Sequence, residues 1–231
     1  MVGGLAELGL AAAFFVGSHF LLSSAPLRAR LISLVGERLF PALYSAVALI
    51  LFAWLLWSYG RAPFLPLWSA PGGAAWLPLL VMPLALLLLV GGYTQPNPTA
   101  VVPGKPYDEA RPAPGILAVT RHPVMWAIGL WALTHLIVNG DVASVILFGS
   151  MAVLALGGTL AIDRRKRRAW GRDWERFAAV TSNLPFAALL AGRTRLSLTE
   201  IGWWRIALAA VLYVVLLALH PHLFGASPLP G

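Results

Sequence analysis

Six apolar runs, each close to the length that crosses a lipid bilayer, constrain this chain more than any other feature. They cover residues 5–22, 39–57, 75–92, 123–138, 142–162 and 203–219, the fourth being short. A hydrocarbon core about 30 Å thick takes about 20 helical residues at 1.5 Å each. Lipid offers backbone groups no partner but each other, and no strand-length alternation is present, so every run is expected to be helical. A mean hydropathy of +0.77, 59% hydrophobic and 11% charged residues exclude an ordinary soluble domain. The 231 residues hold these spans with no room for a sizeable soluble domain. The expected fold is an all-α membrane protein, one domain over residues 1–231, built as a bundle of about six transmembrane helices. Proline and glycine punctuate the connections, at Pro63, Pro66, Pro71, Gly72 and Gly73 and again at Pro96, Pro98, Pro103, Pro106, Pro112 and Pro114.

Charge orients the bundle. Sixteen of the 17 Lys and Arg residues fall on alternate connections: Arg28, Arg30 and Arg38; Lys105, Arg111 and Arg121; and ten from Arg164 to Arg205. Only Arg61 lies opposite. Positive connections stay cytoplasmic, which puts both termini outside and, in a bacterium, the protein in the inner membrane. The net charge of +8 is then read as attraction to anionic lipid, not to nucleic acid. The first run is expected to be retained, because the first basic residue is Arg28 and a signal peptide's basic start is missing. In DRRKRRAWGRDWERF, Trp170, Trp174 and Phe177 recur at helical spacing, which predicts a basic interfacial helix between the fifth and sixth spans.

Ionisable groups inside spans are costly, so each is a functional candidate. His19 and His135 are the two in the apolar runs, and the spans are taken to hold no acidic partner for them. His122 stands just before Pro123, where it is expected to cap the fourth helix. His220 and His222 are read as interfacial. Two imidazoles are too few for structural zinc, and the absence of cysteine removes disulfides, thiolate ligands, thiol nucleophiles and covalent C-x-x-C-H haem attachment. Two imidazoles do suffice for the axial positions of a non-covalent haem, with Arg28 and Arg121 able to meet propionates. His135 should lie roughly 20 Å, and His19 about 9 Å, from the cytoplasmic ends of their helices, an offset left to helix tilt. Depth alone therefore leaves open whether His122 or His135 partners His19.

Several stretches taken together, SHFLLSSAPLR, GERLF, TRHPVMW, WALTH, DRRKRRAWGRDWERFAAVTSNLPF and the closing HPHLF, resemble the NnrU family and its relatives, the plant 15-cis-zeta-carotene isomerases. The resemblance implies a helical membrane protein linked to nitric oxide and denitrification metabolism, with a small hydrophobic substrate or a respiratory partner. From the isomerases it implies haem b held by histidines, with iron assisting a cis to trans isomerisation. Carried over, the early ligand is His19, with Arg28 nine residues on, and the later one is His135. A cysteine that the isomerases carry three residues before the later histidine is Ala132 here, so a ligand exchange using it cannot operate. A second resemblance, carried by RHP, AWGRDWERF and SNLPF, is to membrane methyltransferases of the isoprenylcysteine carboxyl methyltransferase type. It implies S-adenosylmethionine beside Arg121 and His122, held with help from Glu175 and Arg176. A sensor or an assembly partner would use the same two haem ligands.

Overall fold

The computed structural model describes residues 2–70, 72–100, 111 and 113–229. Lys105 and the prolines at 103, 106 and 112 lie outside the described residues, as does Pro71. The described residues form helices and loops without a strand, the sole bridge being the isolated pair Pro66 and Asp141. The long helices are α1 (Val2–Ser23), α3 (Leu39–Gly60), α4 (Trp76–Thr94), α5 (Pro123–Val138), α6 (Val142–Trp170) and α10 (Trp203–Phe224). They fall on the six apolar runs. Five are long and apolar enough to cross a membrane, and α5, at 16 residues, is the short one. This is an integral membrane protein of the all-α class.

Shorter helices fill the connections. After Ser24, Pro26 in the first turn and a run of Leu, Ile and Val start α2 (Ala25–Val35), which the charge-based reading had treated as a plain connection. The basic stretch is helical in two pieces. α6 runs on through Trp170, and Gly171, at φ 51°, breaks it before α7 (Arg172–Val180). α8 (Ala187–Leu190) and α9 (Leu198–Ile201) are single turns. Trp174 and Phe177 do share one face of α7, and that face is fully buried against Leu117, so its apolar stripe packs on protein.

The chain divides into two compact units. The first holds residues 1–71 and 135–154, with α1 packed along α3 and α2 against both. Their register is plain from named contacts. Gly4 of α1 lies beside Arg61 and Pro63 just past the end of α3, and Phe15 meets Phe52 at 5.6 Å between ring centroids. The start of α6 is tied to the same end, since Leu67 and Trp68 donate backbone N–H bonds to Gly140 and Val142 donates to Leu65. The second unit holds residues 72–134 and 155–231. There α4 packs along α10, and the 3-10 turn Gly115–Ala118 sits between α4 and α9. Gln95 knits these pieces, accepting from the Ile116 N–H at 2.8 Å and donating to the Glu200 carbonyl at 2.6 Å.

Candidate functional site

A heavily bonded polar cluster grows from two stretches that the sequence pairs only by resemblance, TRHP and TSNLPF. Both lie in the second unit. Arg121 donates its backbone N–H to Ser182 at 2.9 Å, and the Thr120 hydroxyl donates to the Asn183 carbonyl at 2.6 Å. Phe186, held at φ 65°, donates its N–H to Val119 at 2.7 Å. That left-handed turn lets the loop fold back over the entrance to α5. Asn183 then reaches both neighbouring helices, accepting from the Trp126 indole at 3.2 Å and donating to the Thr159 hydroxyl at 3.0 Å.

Asp163 is the centre of this cluster. α6 is 29 residues long, about 44 Å, which outruns a 30 Å hydrocarbon core, so Asp163 falls near the end of the apolar stretch. Arg121 donates from Nε to both carboxylate oxygens at 3.1 Å and again from Nη2, a charge-assisted fork. His122 donates from Nε2 to Oδ1 at 2.6 Å. Its side chain is wholly buried, and its Nδ1 has no hydrogen-bond partner among the described residues. Burial therefore holds the His122 pKa below the ordinary value, against the upward pull of Asp163. A second proton would sit on Nδ1 with nothing to receive it. His122 thus serves the α5 entrance through Asp163, and only its carbonyl makes the first helical bond, to Trp126. Beside the cluster opens a cleft of about 390 Å³, lined by Arg121, Trp126, Leu156, Leu160, Asp163 and Leu184.

The two in-span histidines lie in the first unit. His19 donates Nδ1–H to the Phe15 carbonyl at 2.7 Å, and its ring packs edge-on against Phe15 and Tyr44. Phe40 continues this wall from Tyr44, with the Arg28 guanidinium over its face at 5.5 Å. His135 instead packs on Phe148 at 5.3 Å, and Phe148 touches Tyr59. Tyr44 and Tyr59 stand 15 residues apart on α3, about 22 Å of rise. On α1 the same result appears independently, since His19 is 15 residues beyond Gly4, which lies at the Arg61 end. Through these contacts His19 and His135 lie toward opposite ends of α3, so the structure does not bring the two imidazoles together. The depth offset that tilt was expected to absorb persists. Ala132 is fully buried.

Other expectations change in detail. Arg121 and His122 are both committed to Asp163 and not presented to a propionate. Glu175 and Arg176 lie on the exposed side of α7, where Arg176 faces Asp173 at 3.7 Å. The expectation that spans hold no acid is corrected by Glu7 in α1, whose carboxylate accepts from the Trp54 indole at 3.3 Å and the Ser58 hydroxyl at 3.4 Å. Asp163 escapes a sequence reading because it heads the basic run expected to form the interfacial helix. Its signal was position, as the one acid at the boundary between an apolar run and a charged one. His220 donates from Nδ1 to the Ala226 carbonyl at the exposed end of α10, as an interfacial residue should.

No solved structure matches the chain. Two chloroplastic 15-cis-zeta-carotene isomerases are similar to parts of it. That of Arabidopsis thaliana is 37% identical over 81 residues, 34% of this chain and 22% of the relative. That of Zea mays is 36% identical over 84 residues, 36% of this chain and 22% of the relative. The chain thus matches about a fifth of the length of these curated relatives. The model of the family described as NnrU protein matches residues 7–228, nearly the whole length, and the chain belongs to the NnrU family.

Proposed function

We propose that this protein is an integral membrane haem b protein with isomerase-like chemistry on a small lipid-soluble substrate, the iron being carried by His19 alone. The observation that carries this reading is the His19 ring. Its Nδ1–H is spent on the Phe15 carbonyl, which fixes the tautomer and leaves the Nε2 lone pair as donor. Metal-bound histidines are oriented in this way by a bond at the other ring nitrogen. Phe15, Tyr44 and Phe40 supply an aromatic wall for an apolar macrocycle, and Arg28, over Phe40, is the residue to meet a propionate. Bound there, haem b would be held by His19 and would supply the Lewis-acid or redox chemistry of iron. Such a site suits isomerase-like work or the nitric oxide link that the family resemblance implies, in enzyme or sensor. His135 is not a ligand in this reading. The alternating basic connections favour an inner membrane with those connections on the cytoplasmic, anionic face.

An optical spectrum of the detergent-purified protein, oxidised and reduced, with and without carbon monoxide, tests the reading. The expected result is a high-spin haem that binds carbon monoxide, is lost in His19→Ala and is kept in His135→Ala. A low-spin spectrum lost in both variants would restore the bis-histidine pair and refute the single-ligand geometry. A porphyrin-free protein that binds S-adenosylmethionine would overturn the haem reading in favour of the methyltransferase resemblance.

A further inference from the structure

The cleft beside Asp163 has a polar end and apolar walls, and its electrostatics are specific. Arg121 and Asp163 close its polar end as an ion pair, with side chains 12% and 13% exposed. Asn183 and Thr159 complete that end, already bonded to each other. Leu156, Leu160, Leu184 and Trp126 form the remainder. Leu160, on the spanning helix α6, and Leu184, on the 181–186 loop, are 54% and 60% exposed, so the mouth of the cleft borders the lipid-facing side of α6. A charged head would meet a cost here. An anion is repelled by the carboxylate and finds the guanidinium already engaged, and a cation meets the converse. A hydroxyl or carbonyl can use the pair's remaining lone pairs or N–H groups without disturbing its neutrality. The volume of about 390 Å³ is within the range of small-molecule sites.

We infer that this cleft is a binding site for an uncharged amphiphile, an apolar chain ended by a hydroxyl or carbonyl, that enters sideways from the bilayer. His19 is not among its lining residues, and the inference does not depend on the haem reading. The probe is a diazirine-bearing long-chain alcohol, applied to the full-length protein in phosphatidylcholine nanodiscs, with labelled peptides located by mass spectrometry. Labelling should fall on the 156–160 and 184 segments, and 1-dodecanol should displace it at least ten-fold better than dodecyl phosphate or dodecyltrimethylammonium. Leu160→Trp, which fills the mouth from a lipid-facing position, should remove that label without lowering the melting temperature. Leu184→Trp serves as a second block from the loop side. In Asp163→Asn the uncompensated arginine should reverse the order, dodecyl phosphate becoming the better competitor. Absence of label at the cleft in the unmodified protein, equal displacement by a charged competitor, or label persisting in both tryptophan variants would overturn the assignment.

Discussion

Replacing Asp163 by alanine tests whether one carboxylate holds the entrance of α5 to α6. Alanine strands a guanidinium that is nearly out of water and an imidazole N–H that is entirely so. Removing one partner of a buried ion pair costs about 3–5 kcal/mol, and the slight exposure of Arg121 favours the lower end, about 3 kcal/mol. Asp163→Asn keeps an oxygen for the His122 N–H and loses only the charge-assisted part, about 1.5–2 kcal/mol. The double variant Arg121→Met with Asp163→Leu removes both charges together, and similar replacements elsewhere are close to neutral. It should therefore be more stable than Asp163→Ala by at least about 1 kcal/mol, the unpaired His122 N–H being the remaining cost. Unfolding in detergent, followed by intrinsic tryptophan fluorescence, reports all four proteins, and Trp126 and Trp174 lie next to the cluster. A loss under about 0.5 kcal/mol in Asp163→Ala, or a double variant no more stable than Asp163→Ala, would refute the reasoning.

The same cluster predicts a pH dependence. His122 is held below its ordinary value of 6.5 by burial, so the unfolded chain takes up a proton in a range where the folded chain does not. Its contribution is full above pH 6.5 and is lost as pH falls from there toward the lower folded value, at no more than about 1.4 kcal/mol per pH unit. Unfolding free energies at pH 7.5, 6.5 and 5.5 should fall more steeply in the parent than in His122→Gln. Within the first unit, a Cβ on Gly140 would stand 1.9 Å from the Trp68 carbonyl oxygen, a backbone atom tied there by the bonds that Leu67 and Trp68 donate to Gly140. Gly140→Ala should cost about 3 kcal/mol in the same assay, while Gly149→Ala in α6, where a Cβ meets nothing within 4 Å, should gain roughly 0.5–1 kcal/mol.

Much of this architecture is local in origin and was therefore legible in the sequence. A run of 20 apolar residues in lipid has one backbone solution, so the six long helices and their starts at Leu39, Pro123, Val142 and Trp203 follow from hydropathy and punctuation alone. The helical spacing of Trp174 and Phe177 was equally readable, but what covers that stripe was not. Headgroups and Leu117 make the same demand on an apolar face. Only tertiary structure decided the partners of the polar residues. His19 and His135 look alike in sequence because each is an imidazole in an apolar run. Which of them could share a ligand depends on register between helices, and contacts along α3 put them at opposite ends of one unit. Asp163 shows the converse. Forty-one residues separate it from His122, and nothing local distinguishes it from a solvated loop acid until α5 and α6 bring carboxylate, guanidinium and imidazole within bonding distance.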